Sequence, residues 1–247
     1  MKKIHDKIYI FISILIAYSF FFNTAQAKTN FDRLHYDHQI IAKYECGNRG
    51  YSAIGKDNYG GYSYGKWQIS TERRNNRPST FDFYLKYTQK RAPYIYKALM
   101  KAGGTEAAYN GTTKFINTWK NLSAQAEFRQ IYNDFLLTTQ VFVLYKKLDS
   151  VQNSNFDKIT DWGSNNNAIQ ATLQSLVIQH GAGGAYKIIE TVLNSNENNT
   201  KQEFLLNIFK ERMKRFPKYK KRYEAECKDL VEFLNSSDSK LIILAAD

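Results

Sequence analysis

The sequence predicts a mainly α-helical domain that carries a small β-hairpin near its N-terminal end. Proline occurs at only three positions, so long stretches of the chain are free to form helices. After Pro78, apolar residues recur at helical spacing almost to the end of the chain. Residues 50–70 differ, because they are rich in Gly, Ser and Tyr and contain short β-prone pieces. These three observations favour an α+β domain whose strands are confined to one segment.

Several segments have the apolar periodicity of amphipathic helices. The first ends near Gly47, a residue type that suits a helix stop. The clearest one carries an apolar stripe that includes Phe128, Phe135 and Val143. The asparagine-rich residues 194–199 predict a loop. The predicted helices span residues 32–44, 81–100 with a break near Pro93, 125–148, 167–179, 183–193, 202–215 and 218–234.

The first 27 residues have the layout of a secretory signal peptide. Lysines precede an uncharged apolar run over residues 8–22, and Ala25-Gln26-Ala27 matches a small-x-small cleavage site. This run is short for a membrane span, although an uncleaved anchor is the alternative. We therefore expect a signal peptide at 1–27 and one secreted or periplasmic domain at 28–247, without stable membrane insertion after cleavage.

The chain is strongly basic, with a formal net charge of +12. The first 27 residues hold three lysines and one aspartate, so about +10 remains when they are removed. Such a charge favours polyanionic partners. Outside the cytoplasm these are cell-wall polymers and anionic lipid surfaces rather than nucleic acid. The basic run over residues 210–222 either forms a solvated helix face or docks an anion.

The two cysteines, Cys46 and Cys227, both lie after the predicted cleavage site. In an oxidising compartment an even pair indicates a disulfide, which would tie the loop after Glu45 to the C-terminal helix. Two buried free thiols are the alternative. The choice depends on whether the two α-carbons lie close together.

Two carboxylates stand out in the glycine- and tyrosine-rich segment. Glu45 falls at the end of a predicted helix, and Asp57 follows in a glycine-rich turn. Glycoside hydrolysis needs two carboxyl groups, one to protonate the leaving oxygen and one to activate water or attack the sugar. Burial beside Tyr44 would raise the pKa of Glu45, whereas a polar turn would keep Asp57 ionised. Glu72 is the rival second carboxylate, unless it is simply an exposed charge.

The same segment offers candidate sugar-binding side chains. Ser63, Tyr64 and Gln68 would hydrogen-bond sugar hydroxyls and N-acetyl groups, and the faces of Tyr62 and Trp67 would stack on pyranose rings. Core packing is the alternative for Tyr64 and Trp67. The pattern predicts a glycan-cleaving enzyme.

Three blocks of sequence resemble one family of proteins. The blocks are Tyr44-Glu45-x-Gly47 with Gly55-Lys-Asp57 and Ser63-Tyr64-Gly65-Lys66-Trp67-Gln68-Ile69-Ser70, then 168–181 ending in Gln179-His180-Gly181, then Glu211-Arg212 with Arg222-Tyr-Glu224. In these blocks the chain resembles the lysozyme-like muramidase domains attached to type VI secretion spike proteins, and their relatives among family 46 chitosanases and phage cell-wall hydrolases. Cys46 stands where Ser or another small residue is common, and Trp67 where Tyr is commoner.

The resemblance implies a lysozyme-like α+β fold with the hairpin after the catalytic helix. It also implies that Glu45 is the general acid, that Asp57 is the general base, and that cleavage inverts the anomeric centre. An inverting pair holds its carboxyl groups roughly 6.5–9.5 Å apart. The resemblance brings His180 near the cleft, where it would bind substrate or make a structural hydrogen bond.

Three functions are therefore weighed: a muramidase acting on peptidoglycan, a chitosanase, and a non-catalytic wall-binding module. A cysteine amidase using Cys46 and His180 is a minor alternative. The expected partners are peptidoglycan strands and a proteinaceous inhibitor or immunity protein. No cofactor is expected. His35 and His38 have metal-pair spacing, but a convincing third ligand is missing from the sequence, so no metal is expected either.

Overall fold

The computed structural model describes most of the chain and confirms the predicted fold class. The described part is mainly helical, with one small sheet near its N-terminal end. The predicted signal peptide falls outside the described part. Among the helices of the described part, none is long and apolar enough to cross a membrane. The described residues are 39–56, 61–73, 77–151, 153–195 and 200–244.

The secondary-structure elements follow the predicted order. Short 3₁₀ turns lie at Gly50–Ser52 and Pro217–Tyr219. The strands are β1 (Ile54–Lys56), β2 (Tyr62–Tyr64) and β3 (Ile69–Ser70). The helices are α1 (Gln39–Cys46), α2 (Thr80–Arg91), α3 (Pro93–Lys101), α4 (Gly104–Asn110), α5 (Thr113–Ser123), α6 (Ala126–Leu136), α7 (Phe142–Asp149), α8 (Ser154–Asn165), α9 (Asn167–Ser195), α10 (Lys201–Arg215) and α11 (Lys220–Leu244).

The helix ends follow local signals. The predicted break at Pro93 is confirmed, because α2 ends two residues before it and α3 begins with it. Ser79 and Asp82 form a capping box at the start of α2, and Thr200 and Glu203 form another at the start of α10. Helices α4, α5 and α8 lie in stretches for which the sequence predicts only a generally helical structure.

The sheet is antiparallel with strand order β1-β2-β3, which confirms the predicted hairpin and adds a third short strand. Ser63 lies at its centre, opposite Gly55 in β1 and Ser70 in β3. The turn after β2 needs Gly65, whose φ is 80° and where a Cβ atom would lie 2.6 Å from the Tyr132 side chain. The sheet is thus packed tightly against α6.

Tyr64 joins the sheet to a large aromatic core. Its ring centroid lies 5.3 Å from that of Phe115 and 5.1 Å from that of Trp119, in tilted and edge-on arrangements. Its hydroxyl donates to the Ala108 carbonyl at 2.7 Å. The other fully buried rings of this core are Phe81, Tyr84, Phe128, Tyr132 and Phe135.

A π-helical turn, Leu137–Val141, interrupts the single helix predicted over 125–148. The prediction that Val143 belongs to the buried stripe is wrong, because Val143 is 46% exposed. Val141, Leu144 and Tyr145 are buried instead. A π turn holds an extra residue, so it rotates the buried face of the helix that follows.

Helix α9 is the centre of the second half of the fold. Residues 168–177 are buried on every side, and α9 packs against α7, α8, α10 and α11. Gly181 breaks the helix with φ 65° and ψ 167°, a conformation that favours glycine. The break confirms the separate helices predicted over 167–179 and 183–193. It also leaves Gln179 and His180 at the end of the first stretch.

The expected disulfide is absent from this structure, in which Cys46 and Cys227 are both free thiols. The Cys46 thiol is turned back along α1 and donates to the Ala42 carbonyl at 3.4 Å. Burial raises the pKa of the Cys227 thiol to about 11. The alternative of two free thiols therefore describes the fold.

Candidate active site

Glu45 lies in the last turn of α1, at the point where helix gives way to the sheet. The helix stops here because Gly47 and Asn48 both have positive φ, 60° and 63°. Cys46 is buried beneath this turn, and the Glu45 side chain is only 8% exposed. The predicted position of a carboxyl group at a helix end is confirmed.

Both hydrogen-bond donors to Glu45 use the same oxygen. Gln179 Nε2 donates to Oε1 at 2.9 Å, and Arg222 Nη2 donates to Oε1 as well. No described residue donates to Oε2. One oxygen of the carboxyl group is therefore held by the protein, and the other is available to carry a proton.

Burial raises the pKa of Glu45 above its ordinary value of 4.5. The Arg222 charge and the Gln179 hydrogen bond oppose this shift because they favour the ionised form, and the nearby Glu226 charge adds to it. Burial dominates. A carboxyl group of this kind keeps its proton at a higher pH than an exposed glutamate does, as a general acid requires.

A buried ion pair lies beside the residues that bind Glu45. The side chains of Arg212 and Glu226 are 0% and 1% exposed, and Arg212 Nη1 lies 3.3 Å from Glu226 Oε1. Ser175 also donates to Glu226 Oε1. Arg222 Nε, which lies 3.9 Å from Glu226 Oε2, joins this pair to the arginine that holds Glu45.

Gln179 completes a closed ring of polar side chains. Its Oε1 accepts from Arg212 Nη2 at 2.7 Å, so its Nε2 must face Glu45. Arg212 itself lies against the rings of Phe209 and Tyr223, with its Cζ atom 4.7 and 4.2 Å from their centroids. The ring therefore draws on α1, α9, α10 and α11 and fixes the orientation of the Glu45 carboxyl group.

The sequence patterns identified part of this ring. Arg212 and Arg222 belong to the third block, but their acidic neighbours Glu211 and Glu224 pair on the surface with Arg215 and Lys220. The carboxylate that matters here is Glu226, which the sequence reading missed. Its signal was the i,i+4 spacing from Arg222, which puts both on one face of α11.

A groove passes this ring and consists of three adjoining cavities of 520, 390 and 470 Å³. Glu72 lines all three, and Gln179 lines the first two. The first is also lined by Arg222, and the second by Gln140 of the π turn. The other lining residues include His180, Phe216, Lys218 and Tyr219 in the first cavity, Trp67, Gln68, Ser70, Arg77 and Gly181 in the second, and Arg73, Glu106 and Tyr109 in the third.

His180 lines the groove beside Gln179 and stacks on Phe216, with ring centroids 4.7 Å apart. Burial, and then the charges of Arg212, Arg222 and Arg215, lower its pKa to about 4. The ring is thus neutral near pH 7. Its Nε2 atom is buried and has no hydrogen-bond partner among the described residues.

Two of the predicted sugar-binding residues belong to the protein interior. Ser63 is 4% exposed within the sheet, and Tyr64 is 0% exposed in the aromatic core, so neither side chain reaches the groove. Core packing, the alternative that we considered for Tyr64, is what the structure has. Trp67 is also almost buried, and its Nε1 atom donates to Asn133 Oδ1 at 3.1 Å, but it does line the second cavity of the groove. Tyr62 is half-buried and packs against Gly111.

Gln68 does line the groove, as the sequence predicts. Its φ is +50°, and its Nε2 atom donates to the Gly65 carbonyl at 2.8 Å. Its Oε1 atom lies over Gly55, where a Cβ atom would come within 2.6 Å of it. Gly55 is therefore required for this side-chain position.

Some predicted residues lie outside the described part of the chain. They are Asp57, His35 and His38. The distance between Glu45 and Asp57 thus stays a prediction. Within the described ranges, no three His, Cys, Asp or Glu side chains come together as a metal site would require.

Comparisons with known proteins agree with this architecture. No curated protein matches the chain. Among solved structures, the GH46 chitosanase of Gynuella sunshinyii in complex with chitotetraose is similar, with a TM-score of 0.54 and 15% sequence identity over 86% of this chain and 91% of that chain. At this identity the similarity shows a shared fold. A family model described as type VI secretion system spike protein VgrG3-like, C-terminal, matches residues 38–235. The chain therefore belongs to the VgrG3-like C-terminal family of type VI secretion system spike proteins.

Proposed function

We propose that this chain is a secreted or periplasmic muramidase, a glycoside hydrolase that cleaves the β-1,4-linked backbone of peptidoglycan. The observation that carries the proposal is Glu45. This carboxyl group is nearly buried, its pKa is raised, and a ring of polar side chains beside the groove holds one of its oxygens. A structural glutamate would gain nothing from keeping one oxygen unpaired, whereas an acid catalyst needs it.

In the proposed mechanism Glu45 donates the proton on Oε2 to the glycosidic oxygen as the bond to the anomeric carbon breaks. Asp57 takes a proton from the water that attacks the opposite face of the sugar. Cleavage would invert the anomeric centre, with the two carboxyl groups roughly 6.5–9.5 Å apart. Glu72 lines the whole groove and is the alternative base.

Groove residues would then position the glycan. Gln68 and His180 are suited to contact sugar hydroxyls or N-acetyl groups, since both residues line the groove. Tyr219 lines the same groove, is 44% exposed and offers a ring for stacking on a pyranose. His180, whose pKa burial lowers to about 4, stays neutral near pH 7.

Charge favours peptidoglycan over chitosan as the substrate. Peptidoglycan carries carboxylates, whereas chitosan is a polycation that a chain with a formal charge of about +10 after loss of residues 1–27 repels at long range. Arg77, Lys218 and Arg222 line the groove, against the single carboxylate of Glu72 in the same two cavities. A chitosanase remains the second candidate, because the solved chitosanase has the same fold. A non-catalytic wall-binding module is the third.

The proposed activity would place the chain outside the cytoplasm, where peptidoglycan is accessible. The predicted signal peptide at 1–27 would take it there. An unrestrained wall hydrolase endangers the cell that makes it, so we expect an inhibitor or immunity protein that blocks the groove. Such a hydrolase would be antibacterial when it reaches another cell.

The test is to incubate the chain from residue 28 with purified sacculi and, in parallel, with chitosan. Mass spectrometry of the products and a count of new reducing ends identify the bond that is cut. We expect muropeptides with a reducing N-acetylmuramic acid end. The matched variants are Glu45→Gln, which should be folded and inactive, and Glu224→Gln, a half-exposed carboxylate on α11 that should remain active.

Other outcomes would redirect the assignment. Oligomers from chitosan and none from sacculi would make the chain a chitosanase. A folded protein that cuts neither polymer but binds sacculi would be a binding module. Comparison of Asp57→Asn with Glu72→Gln identifies the base, since only the variant that lacks the true base should lose most of its turnover.

A further inference from the structure

A cationic pocket of 370 Å³ lies apart from the groove and shares no lining residue with it. It forms where the 3₁₀ turn Gly50–Ser52 meets the end of α5 and the start of α6. Three cationic side chains line it: Arg49, Lys120 and Arg129. The remaining lining residues are Gly50, Tyr51, Ser52, Ser123 and Ala124, so none is acidic.

The two arginines are held in place by backbone carbonyl groups. Arg49 donates from Nε to the Cys46 carbonyl at 2.8 Å and from Nη1 to the Ile54 carbonyl at 3.0 Å. Arg129 donates from Nε to the Ser123 carbonyl at 2.8 Å and from Nη2 to the Ala124 carbonyl at 3.2 Å. These partners are neutral. Both guanidinium groups are therefore fixed in position, and within the described ranges neither forms an ion pair with a carboxylate.

This arrangement differs from that of other arginines in the chain. Arg73, Arg212 and Arg222 each lie within 4 Å of a carboxylate. The acidic residue nearest to the pocket in sequence, Glu127, does not line it. Ordered arginines with spare N–H groups and no carboxylate partner are typical of a site that binds an oxyanion.

We propose that this pocket binds an oxyanion of a cell-wall polymer, through the spare N–H groups of Arg49 and Arg129 and the ammonium of Lys120. A phosphodiester and a stem-peptide carboxylate share the required chemistry. The site would hold the protein on the wall while the groove works on the glycan. Because Arg49 follows Glu45 by four residues, the bound polymer would lie near the catalytic end of α1.

The pocket is tested first with inorganic phosphate, independently of hydrolysis, by a ¹H–¹⁵N NMR titration of the Glu45→Gln protein. We expect saturable shifts at Ser52, Ser123 and Ala124 that weaken as NaCl is raised. Arg49→Gln with Arg129→Gln should weaken binding about tenfold or more. The control pair, Lys220→Gln with Lys228→Gln, removes the same charge from exposed lysines and should leave the shifts intact.

Because the two arginines also bond the backbone, a second variant blocks the pocket while leaving both arginines in the sequence. Ser52→Glu places a carboxylate in the pocket from an exposed position and should abolish the phosphate shifts. Phosphate shifts that are absent, unsaturable or unchanged in these variants would overturn the proposal.

Binding to sacculi then identifies the polymer group. Loss of binding after phosphodiester polymers are removed with hydrofluoric acid assigns the site to phosphate, and loss after amidase removal of stem peptides assigns it to carboxylate. If the parent protein and the Ser52→Glu variant bind each of the two treated sacculus preparations equally well, a wall-binding role is ruled out. Lysis by the active chain is measured separately, so a failure of the proposed hydrolase would not be confused with a failure of this site.

Discussion

Gln179 Nε2 lies 2.9 Å from Glu45 Oε1, so the break in α9 meets the last turn of α1 at the candidate catalytic carboxyl group. The two residues are 134 positions apart in sequence. Their contact depends on Gly181, which ends the helical stretch of α9 just after Gln179, and on Arg212, which turns the amide of Gln179 toward Glu45. A groove wall, a helix end and a buried ion pair thereby fix the position of one carboxyl group.

The raised pKa of Glu45 predicts how stability changes with pH. Between its ordinary value of 4.5 and the raised folded value, the folded state keeps a proton that the unfolded state has lost. Stability therefore falls as pH rises through this window. The Glu45→Gln protein lacks this pH-dependent contribution to stability. Its melting temperature should therefore rise relative to that of the parent as the pH increases from 4.5 to 7. A constant difference across this range would show that the pKa is not raised.

Replacing Gln179 with Leu should change the pH profile of hydrolysis. The Gln179 hydrogen bond favours ionised Glu45, so its loss raises the pKa of Glu45 further. The alkaline limb of kcat against pH should move to higher pH, while the unfolding free energy falls by about 1–3 kcal/mol because Arg212 loses a partner. A merely structural role would lower stability and leave the alkaline limb where it is.

The buried pair of Arg212 and Glu226 should be sensitive to the loss of one partner. Glu226→Gln leaves an uncompensated charge on a side chain that is 0% exposed, and we expect a loss of about 3–5 kcal/mol in unfolding free energy. Urea denaturation measures it. Glu224→Gln, on the exposed face of the same helix, should change stability by about 0.5 kcal/mol or less. Similar losses in the two variants would contradict the buried pair.

Gly181 and Gly183 form a matched pair for testing the break in α9. A Cβ atom at either site meets nothing within 4 Å, but only Gly181 has a positive φ. Gly181→Ala should cost about 1–3 kcal/mol from backbone strain and reduce hydrolysis, because Gln179 and His180 would shift. Gly183→Ala should stabilise the helix by about 0.5–1 kcal/mol. Thermal unfolding and sacculus lysis of both variants make the comparison.

Much of the fold followed from local patterns in the sequence. Helical periodicity, the break at Pro93 and the glycine near 181 act over a few residues, so their effects can be read from neighbouring positions. The same holds for Glu45, since Gly47 ends its helix. The π turn could not be read in this way. It shifted the buried face of α7 and left Val143 exposed, contrary to the predicted stripe.

The sequence by itself determined the helices, the hairpin and the position of Glu45 at a helix end, because capping, periodicity and turn chemistry are local. Only the tertiary structure decided which charged groups surround Glu45. In the assembled fold Glu226, and not Glu224, pairs with the buried arginine. Tyr64 lies in the core, whereas Gln68 lines the groove. The physical reason is that a buried ion pair or a buried ring forms only where helices that are distant in sequence pack together. Burial therefore stabilises these groups only in the assembled fold.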